Sequence, residues 1–556
     1  MSDQLEQPVV AYFCMEFALR DDVHIYSGGL GVLAGDFLLE AGQQNFPVVG
    51  IGLLYTTTYT QDIKEMGPTN TLEQILPETA GLEPLVDSDG ERIILTIPFQ
   101  EKLLKIGVWR KKYQHFNLYL LDTNLPENVP QFQQITDRLY SGDKEHRLAQ
   151  ELVLGVGGMR LLKKLHLDPQ YLHMNEGHAA FCAFEHIADL MGKFGLSYQD
   201  ALERAKQKLR FTNHTLIPAG NDNFPNELVT VFLASFAEER SLVVSKLLEL
   251  GNIPGSSLFS MTFLGLRTAG KTNAVSRYHA QKAKELWPNF ELLPITNGIF
   301  LPRWYSPEKN HCWNLNEIAP QNPVEFWHAH QESKDRLIDF IAKRTGKKLS
   351  RNGLVLTWAR RFVQYKRPEA LFWILERLHH ILFSSAVPVY VVFAGKGHTH
   401  DFQAQEMVKH VFQLSQSPEF SSNLIYVPDY NLSVAELLVQ GSDVWLNTPV
   451  EGFEACGTSG MKAGLNGVLQ CSTNDGWVRE VNWNNLGWIL DNDHISESLY
   501  NQIEQGIIPL FTQRDDTAIP REWLNKMVKT AQVIREQYSS SRMLAQYKSQ
   551  LYQQNL

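Results

Sequence analysis

The 556-residue sequence contains only five cysteines, and no two of them have the spacing of a metal-binding pair. Their number is odd and their positions are scattered: Cys14, Cys182, Cys312, Cys456 and Cys471. Neither a disulfide framework nor a zinc site is therefore predicted. We expect no metal ion and a reducing environment.

Long apolar runs and basic blocks are also missing. No stretch is apolar enough over sufficient length to span a bilayer, and residues 1–7 are polar and acidic, unlike a signal peptide. The net charge is −10, with no cluster of basic residues large enough to overcome it. The sequence therefore predicts a cytoplasmic protein with neither a membrane nor a nucleic acid as partner, and an uncharged polymer would suit this charge.

What the sequence does have is an alternation of strand-like and helical patterns. Apolar runs typical of buried parallel strands occur at 9–17 and 47–55, and again at 353–359, 388–397 and 423–427. Helical periodicity lies between them. This alternation predicts an α/β fold with doubly wound sheets, in which ligands bind at the carboxyl ends of the strands.

The length requires more than one domain. Residues 93–122 alternate like antiparallel strands and predict a β-rich insertion, and a segment rich in Trp, Pro and Asn precedes an amphipathic helix at about 323–345. We predict a first domain over 1–305, a crossover over 306–350 and a second domain over 351–530. A terminal helix over 531–556 is expected to return to the first domain, with a break near 539–541.

Residues 449–467 hold five glycines and follow a strand-like run at 443–447, so they predict a strand, a loop and a helix start. Such a junction presents free backbone N–H groups to a phosphate or a sugar hydroxyl. Lys462 is the one residue of this stretch that could hold an aldehyde cofactor, because a partly desolvated amine can form a Schiff base. From the residues alone, a structural turn or a generic phosphate-binding loop is the commoner interpretation.

Other polar residues follow predicted strands. Gly28 and Gly29 open a helix, His178 and His214 lie just after strand-like runs, and Asn297 precedes a glycine. Ligand binding and ordinary turn chemistry remain alternatives at each position. The run at 353–359 is followed by four cations in eight residues, at 360, 361, 366 and 367. Such a group could bind phosphate, and a solvated basic loop is the alternative interpretation.

Residues 454–462, Glu-Ala-Cys-Gly-Thr-Ser-Gly-Met-Lys, resemble the pyridoxal phosphate lysine motif of the α-glucan (glycogen, starch, maltodextrin) phosphorylases. The resemblance extends from about Tyr12 to the final helix and is to the short bacterial type. It implies the glycosyltransferase B architecture, in which two Rossmann-like domains face a central cleft. It also implies retaining phosphorolysis, in which inorganic phosphate attacks the terminal α-1,4-linked glucose of a glucan and glucose-1-phosphate is released.

The resemblance further implies roles for single residues. Those matched to the phosphate and cofactor sites are Arg361, Tyr365, Lys366, Tyr430, Thr458, Lys462, Gly28 and Gly29. Those matched to the sugar site are His178, His214, Asn297, Glu454, Ala455 and Gly457. Residues predicted to act in catalysis are Lys462, Arg361, Lys366, His214 and Glu454. In the family the phosphate of the cofactor does the acid-base work, so no paired carboxylates are required, and none is evident here.

Three positions depart from the family pattern: Arg360 replaces Lys, Cys456 replaces the usual Ser, and Asn431 stands where many members have Arg. Two alternatives therefore stay open. A nucleotide-sugar glucosyltransferase resembling glycogen synthase shares the glycine loop, although Tyr26 stands where many of those enzymes have Lys. A catalytically silent glucan-binding protein is the other. A homodimer is a family expectation only.

Overall fold

The computed structural model describes residues 7–20, 23–64, 67–216, 221–314, 317 and 319–553. The strands are β1 (Val10–Phe13), β2 (Val48–Leu53), β3 (Thr57–Lys64), β4 (Gly67–Gln74), β5 (Glu83–Pro84), β6 (Ile94–Phe99), β7 (Lys102–Lys112), β8 (Asn117–Asp122), β9 (Tyr171–Asn175), β10 (Leu209–Asn213), β11 (Asn223–Pro225), β12 (Leu258–Ser260), β13 (Lys271–Ala274), β14 (Leu293–Pro294), β15 (Leu354–Ala359), β16 (Val389–Ala394), β17 (Leu424–Val427), β18 (Val444–Asn447), β19 (Leu469–Thr473) and β20 (Trp488–Leu490).

The α-helices are α1 (Gly29–Gln43), α2 (Pro130–Gln133), α3 (Lys144–Leu152), α4 (Gly158–Lys164), α5 (Cys182–Phe194), α6 (Tyr198–Lys206), α7 (Asn226–Glu239), α8 (Val244–Gly251), α9 (Met261–Thr268), α10 (Arg277–Leu286), α11 (Leu301–Trp304), α12 (Pro323–Thr345), α13 (Leu375–Phe383), α14 (Phe402–Gln416), α15 (Leu432–Gly441), α16 (Thr458–Leu465), α17 (Ile495–Asn501), α18 (Ile508–Thr512), α19 (Arg521–Gln537) and α20 (Ser540–Gln546). Among the described residues, no helix is both long and apolar enough to cross a bilayer.

The chain packs as two compact units. The first comprises residues up to 58, 73–295 and those from 544 on, and the second comprises 59–72 and 296–543. The chain thus passes between the units more than once, and the hairpin formed by β3 and β4 groups mainly with the second unit. This grouping brings residues from distant parts of the sequence into each unit.

The sheet of the first unit has the order β14-β13-β10-β9-β1-β2-β8-β7-β5, with β6 also paired to β7. Pairing is parallel from β14 to β8, and antiparallel among β5, β6, β7 and β8. Strands β6, β7 and β8, which pair antiparallel, occupy the range 93–122 where the sequence alternates like antiparallel strands. β1 is buried along its whole length between β2 and β9, as its uninterrupted apolar run predicts for a strand covered on both faces.

The sheet of the second unit has the order β17-β16-β15-β18-β19-β20, and all of its pairs are parallel. Numbered along this part of the chain, the order is 3-2-1-4-5-6, which is that of a doubly wound sheet. The order reverses between β15 and β18, and ligands of such sheets bind beyond the carboxyl ends of the strands at that point. The α/β prediction with parallel sheets is confirmed.

Helix α12 is attached to the second sheet by a fully buried ionic cluster. Asp443, which precedes β18, accepts a hydrogen bond from Lys334 Nζ at 2.6 Å, and its other oxygen lies 3.1 Å from His330 Nε2. Lys334 and His330 both belong to α12, whose ends are set by the Asn322 N-cap and by Gly346 in the left-handed region. The cluster therefore fixes α12 against the strand that leads to the glycine-rich loop.

We expect Asp443→Ala to lower the free energy of unfolding by about 3–5 kcal/mol, because it leaves a buried ammonium group without its carboxylate. The shift of the urea unfolding midpoint measures this effect. Asp339→Ala is the matched control, because Asp339 is an exposed partner of Arg351. This variant should lower the free energy of unfolding by about 0.5 kcal/mol or less. Equal midpoints for the two variants would contradict the structural role of the cluster.

Candidate active site

The loops that follow β15 and β18 meet at the point where the strand order of the second sheet reverses. Val450 N donates to the Tyr365 carbonyl at 2.7 Å, and Thr448 Oγ1 donates to the Lys366 carbonyl at 2.9 Å. Arg367 donates to the carbonyls of Thr448 and Pro449 at 2.8 and 2.7 Å. Arg367 therefore ties the two loops together, and three of the four cations predicted after β15 remain for other contacts.

Two of these three cations, Arg360 and Lys366, pair with a single carboxylate, that of Glu454. Glu454 Oε2 lies 3.2 Å from Lys366 Nζ and 3.6 Å from Arg360 NH1, while Arg360 NH2 donates to Ser459 Oγ at 3.1 Å. Arg361 is exposed and forms no hydrogen bond or ion pair within the described part of the chain. Three positive charges against one negative charge leave a site that favours an anion such as phosphate.

The protonation states follow from burial and from these neighbours. Burial lowers the pKa of Lys366 to about 8, although Glu454 partly opposes the shift. Burial alone would raise the pKa of Glu454, but Lys366 and Arg360 outweigh it and hold that pKa below its usual value. Burial also raises the pKa of Tyr430 to about 12, so Tyr430 is a neutral phenol at pH 7.

Lys462 lies on helix α16, which begins directly after the glycine-rich loop. Gly457, at the N-cap of α16, adopts a left-handed φ of +84°, which glycine tolerates without strain. No side chain caps this end and no acidic residue occupies its first turn, so its N–H groups and dipole favour an anion. Lys462 is 7% exposed, and its Nζ lies 4.2 Å from the centre of the Trp304 ring.

The donor set of this unit fits the predicted cofactor. A nearly buried amine at Lys462 suits an aldehyde, and the uncapped start of α16 with the Thr458 hydroxyl suits a phosphate group. Asn297 Oδ1 is buried and has no hydrogen-bond partner among the described residues, which also points to a ligand. Arg542 fixes the Asn297 turn by donating to the carbonyls of Thr296 and Asn297 at 2.6 and 3.0 Å.

Sequence reasoning missed Asp475, which organises the loop that carries Glu454. Its Oδ2 accepts hydrogen bonds from the N–H groups of Gly452, Phe453 and Glu454 at 3.0, 3.2 and 2.9 Å. Burial raises the pKa of Asp475 to about 6 despite these bonds. The only signal in the sequence was an Asp-Gly pair after a strand, which predicts a turn but not its partners.

In the first unit, Glu16 holds the glycine loop in place. Its Oε2 accepts from the N–H groups of Ser27 and Gly28 at 2.8 and 3.2 Å, and its Oε1 accepts from Tyr140 OH at 2.5 Å. An added Cβ at Gly28 or Gly29 would meet nothing within 4 Å. The packing of the protein therefore does not require glycine at these two positions, and the open space beside them would admit a ligand.

His214 lies just beyond the end of β10, where it is held by the last residue of β9 and the residue after it. Its N–H donates to Glu176 Oε2 at 2.7 Å, and its Nε2 lies 2.5 Å from Asn175 Oδ1. Burial lowers the pKa of His214 to about 3, so the imidazole is neutral at pH 7. Glu176 has φ of +75° and ψ of 166°, a conformation that costs about 1–3 kcal/mol for any residue other than glycine. Strain of this kind clusters at functional sites.

His178 lies in the short turn after β9, where its Nε2 is 3.1 Å from Asp222 Oδ2. Arg147 also donates to Asp222 and stacks over the ring of Tyr140, with its Cζ 4.8 Å from the ring centre. Sequence reasoning missed three residues of this group, Tyr140, Arg147 and Asp222. They do not form a sequence motif, because Asp222 is distant from the other two along the chain.

The predicted site residues thus fall into two groups. The first unit holds Gly28, Gly29, His178 and His214. The second unit holds Asn297, Arg361, Tyr365, Lys366, Tyr430, Glu454, Ala455, Gly457, Thr458 and Lys462. Within each unit they follow the carboxyl ends of parallel strands or lie at the start of the helices that these strands lead into. Their individual roles stay predictions.

Comparisons with known proteins find relatives that match nearly the whole chain. The sequence model of the carbohydrate phosphorylase family matches residues 291–484. The chain is 35% identical to the maltodextrin phosphorylase of Thermococcus litoralis over 99% of its own length and 71% of that protein. It is 32% identical to the glycogen phosphorylase of Aquifex aeolicus over 99% and 87% of the two lengths, and 31% identical to the glycogen phosphorylase of Mycobacterium tuberculosis over 98% and 70%.

Proposed function

The chain belongs to the carbohydrate phosphorylase family, and from this premise we propose that it is a pyridoxal-phosphate-dependent α-glucan phosphorylase. The enzyme transfers the terminal α-1,4-linked glucose of glycogen or maltodextrin to inorganic phosphate with retention of configuration, and it releases glucose-1-phosphate. The observation that carries this proposal is the group of cations around Glu454 beside the helix of Lys462. These residues occupy the positions of the family motif.

The residues of the second unit would bind the cofactor, the substrate phosphate and the sugar. Lys462 would hold pyridoxal phosphate, with the start of α16, Thr458 and Tyr430 beside it. When bound, the cofactor supplies a phosphate group that can give and take a proton next to the substrate phosphate. Arg361 and Lys366 bind the substrate phosphate and stabilise its charge. Glu454, Ala455 and Gly457 hold the glucosyl unit, and Asn297 lines the glucan.

The first unit would also hold residues that contact the sugar. His214 is neutral, so one of its ring nitrogens donates and the other accepts a hydrogen bond. The glucosyl unit passes through an oxocarbenium-like state, and donors and acceptors that are already in place stabilise it without reorganisation. His178 lines the glucan, and Gly28 and Gly29 leave room over the phosphates.

We also propose the glycosyltransferase B architecture, in which two Rossmann-like domains face a central cleft. The doubly wound strand order supports this assignment. The domain limits of 1–305, 306–350, 351–530 and 531–556, a cytoplasmic location and a homodimer remain predictions. The substrates are an uncharged glucan and inorganic phosphate, which agree with a net charge of −10 and a local group of cations.

The test is an assay of purified protein loaded with pyridoxal phosphate, with maltoheptaose and inorganic phosphate as substrates. We expect glucose-1-phosphate and maltohexaose as products. A parallel reaction with UDP-glucose or ADP-glucose and maltodextrin addresses the glucosyltransferase alternative. Release of nucleoside diphosphate without phosphorolysis would overturn the proposal, and glucan binding without either reaction would indicate a silent binding protein. The comparisons give no support to these two alternatives.

We expect phosphate affinity to fall with rising pH because of Lys366. The pKa of this amine is lowered to about 8, so its positive charge is present below pH 8 and is lost above it. Between pH 7 and pH 9 the charged fraction falls about tenfold, and the KM for phosphate should rise by a similar factor. In Lys366→Arg the charge persists, so this rise should disappear.

Lys347→Arg is the matched control for this pH effect. Burial also lowers the pKa of Lys347 to about 8, but its Nζ is bonded to backbone carbonyls of Ser415 and Leu424 outside the cation group. This variant should keep the pH dependence of the wild type. An unchanged rise of KM in Lys366→Arg would show that another group titrates.

A further inference from the structure

Four polar side chains of the first unit form a cluster: Arg147, Glu151, His178 and Asp222. Of these, only His178 has been given a role above. Glu151, His178 and Asp222 each present a nitrogen or oxygen atom within 4.8 Å of the corresponding atoms of the other two. Asp222 bonds to Arg147 and lies 3.1 Å from His178 Nε2. A metal ion could use these three ligands, but the guanidinium bound directly to Asp222 opposes a further cation.

The negative charge of this cluster lies on Asp222. Burial alone would raise the pKa of Asp222, but the hydrogen bond from His178 and the charge of Arg147 outweigh it and hold that pKa well below its usual range. Glu151 is fully buried, and neither of its oxygens has a hydrogen-bond partner among the described residues. Burial, followed by the charge of Asp222, raises the pKa of Glu151 well above its usual value. This direction favours the protonated form of Glu151 beside the carboxylate of Asp222.

An ionised Asp222 determines which nitrogen of His178 carries the proton. A carboxylate can only accept hydrogen bonds, so Nε2 must be protonated to bond to it. In the neutral imidazole, Nδ1 is then an acceptor. His178 is 5% exposed, and Nδ1 is buried without a partner among the described residues. Because an unsatisfied buried acceptor costs about 1–3 kcal/mol, this atom points to a donor supplied by a ligand.

We propose that Asp222, supported by Arg147 and Glu151, fixes His178 in the Nε2-protonated form so that Nδ1 accepts a hydrogen bond from a hydroxyl group of the glucan. The choice of a glucan rests on the proposed function. The geometry also discriminates between the two substrates, because phosphate oxygens are mainly acceptors at neutral pH and would repel an acceptor nitrogen. Asp222 is thus a positioning residue that makes His178 specific for the sugar.

The tautomer of His178 can be measured directly in the full-length wild type. Long-range ¹H–¹⁵N spectra of protein labelled at histidine distinguish a protonated Nε2 from a protonated Nδ1, and His178→Gln identifies the signal. We expect a neutral ring protonated at Nε2. A ring protonated at Nδ1, alone or together with Nε2, would overturn the proposal without any variant at Asp222.

Calorimetric titration with maltotetraose and its monodeoxy derivatives tests the hydrogen bond itself. For the wild type we expect one monodeoxy derivative to bind about tenfold more weakly than maltotetraose. In Asp222→Ala the tautomer is no longer fixed, so this difference should shrink to about twofold or less. Asp222→Asn keeps an acceptor oxygen for Nε2 and should restore most of the difference.

Glu185→Ala is the matched control, because Glu185 is also a buried carboxylate with arginine partners, Arg160 and Arg240, but does not contact His178. It should discriminate among the sugars as the wild type does. If the wild type binds maltotetraose and all derivatives equally, the inference is wrong and the proposed function stands. If the wild type binds no maltooligosaccharide, the proposed function fails and the inference with it.

Discussion

A Lys462→Ala variant is expected to purify without pyridoxal phosphate and to lose phosphorolysis by about 10³-fold or more, because it removes the amine that holds the cofactor. The side chain is nearly buried, and it is carried by a helix whose start has neither a side-chain cap nor an acidic residue in its first turn. Absorbance of the bound cofactor and its release by acid give a readout that does not depend on turnover. Added pyridoxal phosphate should not restore activity.

The matched control is Lys309→Met. Lys309 is a fully buried amine whose pKa burial lowers to about 7, so its chemistry alone would allow it to react with an aldehyde. Its Nζ, however, donates to Ser333 Oγ at 3.1 Å and to the Gln440 carbonyl at 3.3 Å. Lys309→Met should retain the cofactor. Loss of the cofactor from this variant, with retention in Lys462→Ala, would show that the motif identifies the wrong lysine.

The elements that sequence reasoning located well are those with local signals. The run at 353–359 became β15, whose residues are all buried, because a parallel strand covered on both faces needs uninterrupted apolar residues. The helix expected at about 323–345 is α12, with Asn322 and Gly346 as its caps. The expected break near 539–541 falls between α19 and α20. In each case neighbouring residues alone determine the conformation.

The hairpin formed by β3 and β4 shows what could not be predicted. Its Gln61 accepts from Tyr426 OH at 2.9 Å, and the N–H of Gln61 donates to Asp429 at 3.2 Å, so it belongs with residues more than 360 positions away. The carboxylates Asp222 and Asp475 were missed for the same reason. Their partners come from other segments of the chain, and neither residue occurs in a motif that chemistry alone would select.

Two of the departures from the family pattern have structural explanations. Asn431 caps α15 by accepting from Val434 N at 3.0 Å, so the position has a role that an asparagine performs well. Cys456 is buried, and burial raises the pKa of its thiol, so it is neutral at pH 7. Neither replacement introduces a charge that would oppose the group of cations around Glu454.

An Arg361→Ala variant should lower kcat/KM for phosphate by about 10²–10³-fold while leaving the content of pyridoxal phosphate unchanged. Lys366 and Arg360 are already paired with Glu454, whereas Arg361 is exposed and forms no ion pair within the described residues. Arg361 is therefore the cation with most of its charge available to a ligand. Its loss should raise the KM for phosphate far more than the KM for maltodextrin.

Arg351→Ala is the control, because Arg351 is an exposed arginine that pairs with Asp335 and Asp339 on the surface of α12. Its removal should leave both KM values and the cofactor content as in the wild type. Arg361→Lys should recover part of the phosphate affinity, since it keeps the charge without the two parallel N–H donors of a guanidinium. A loss confined to maltodextrin would place Arg361 at the sugar instead of the phosphate, and Lys366 would then be the principal phosphate ligand.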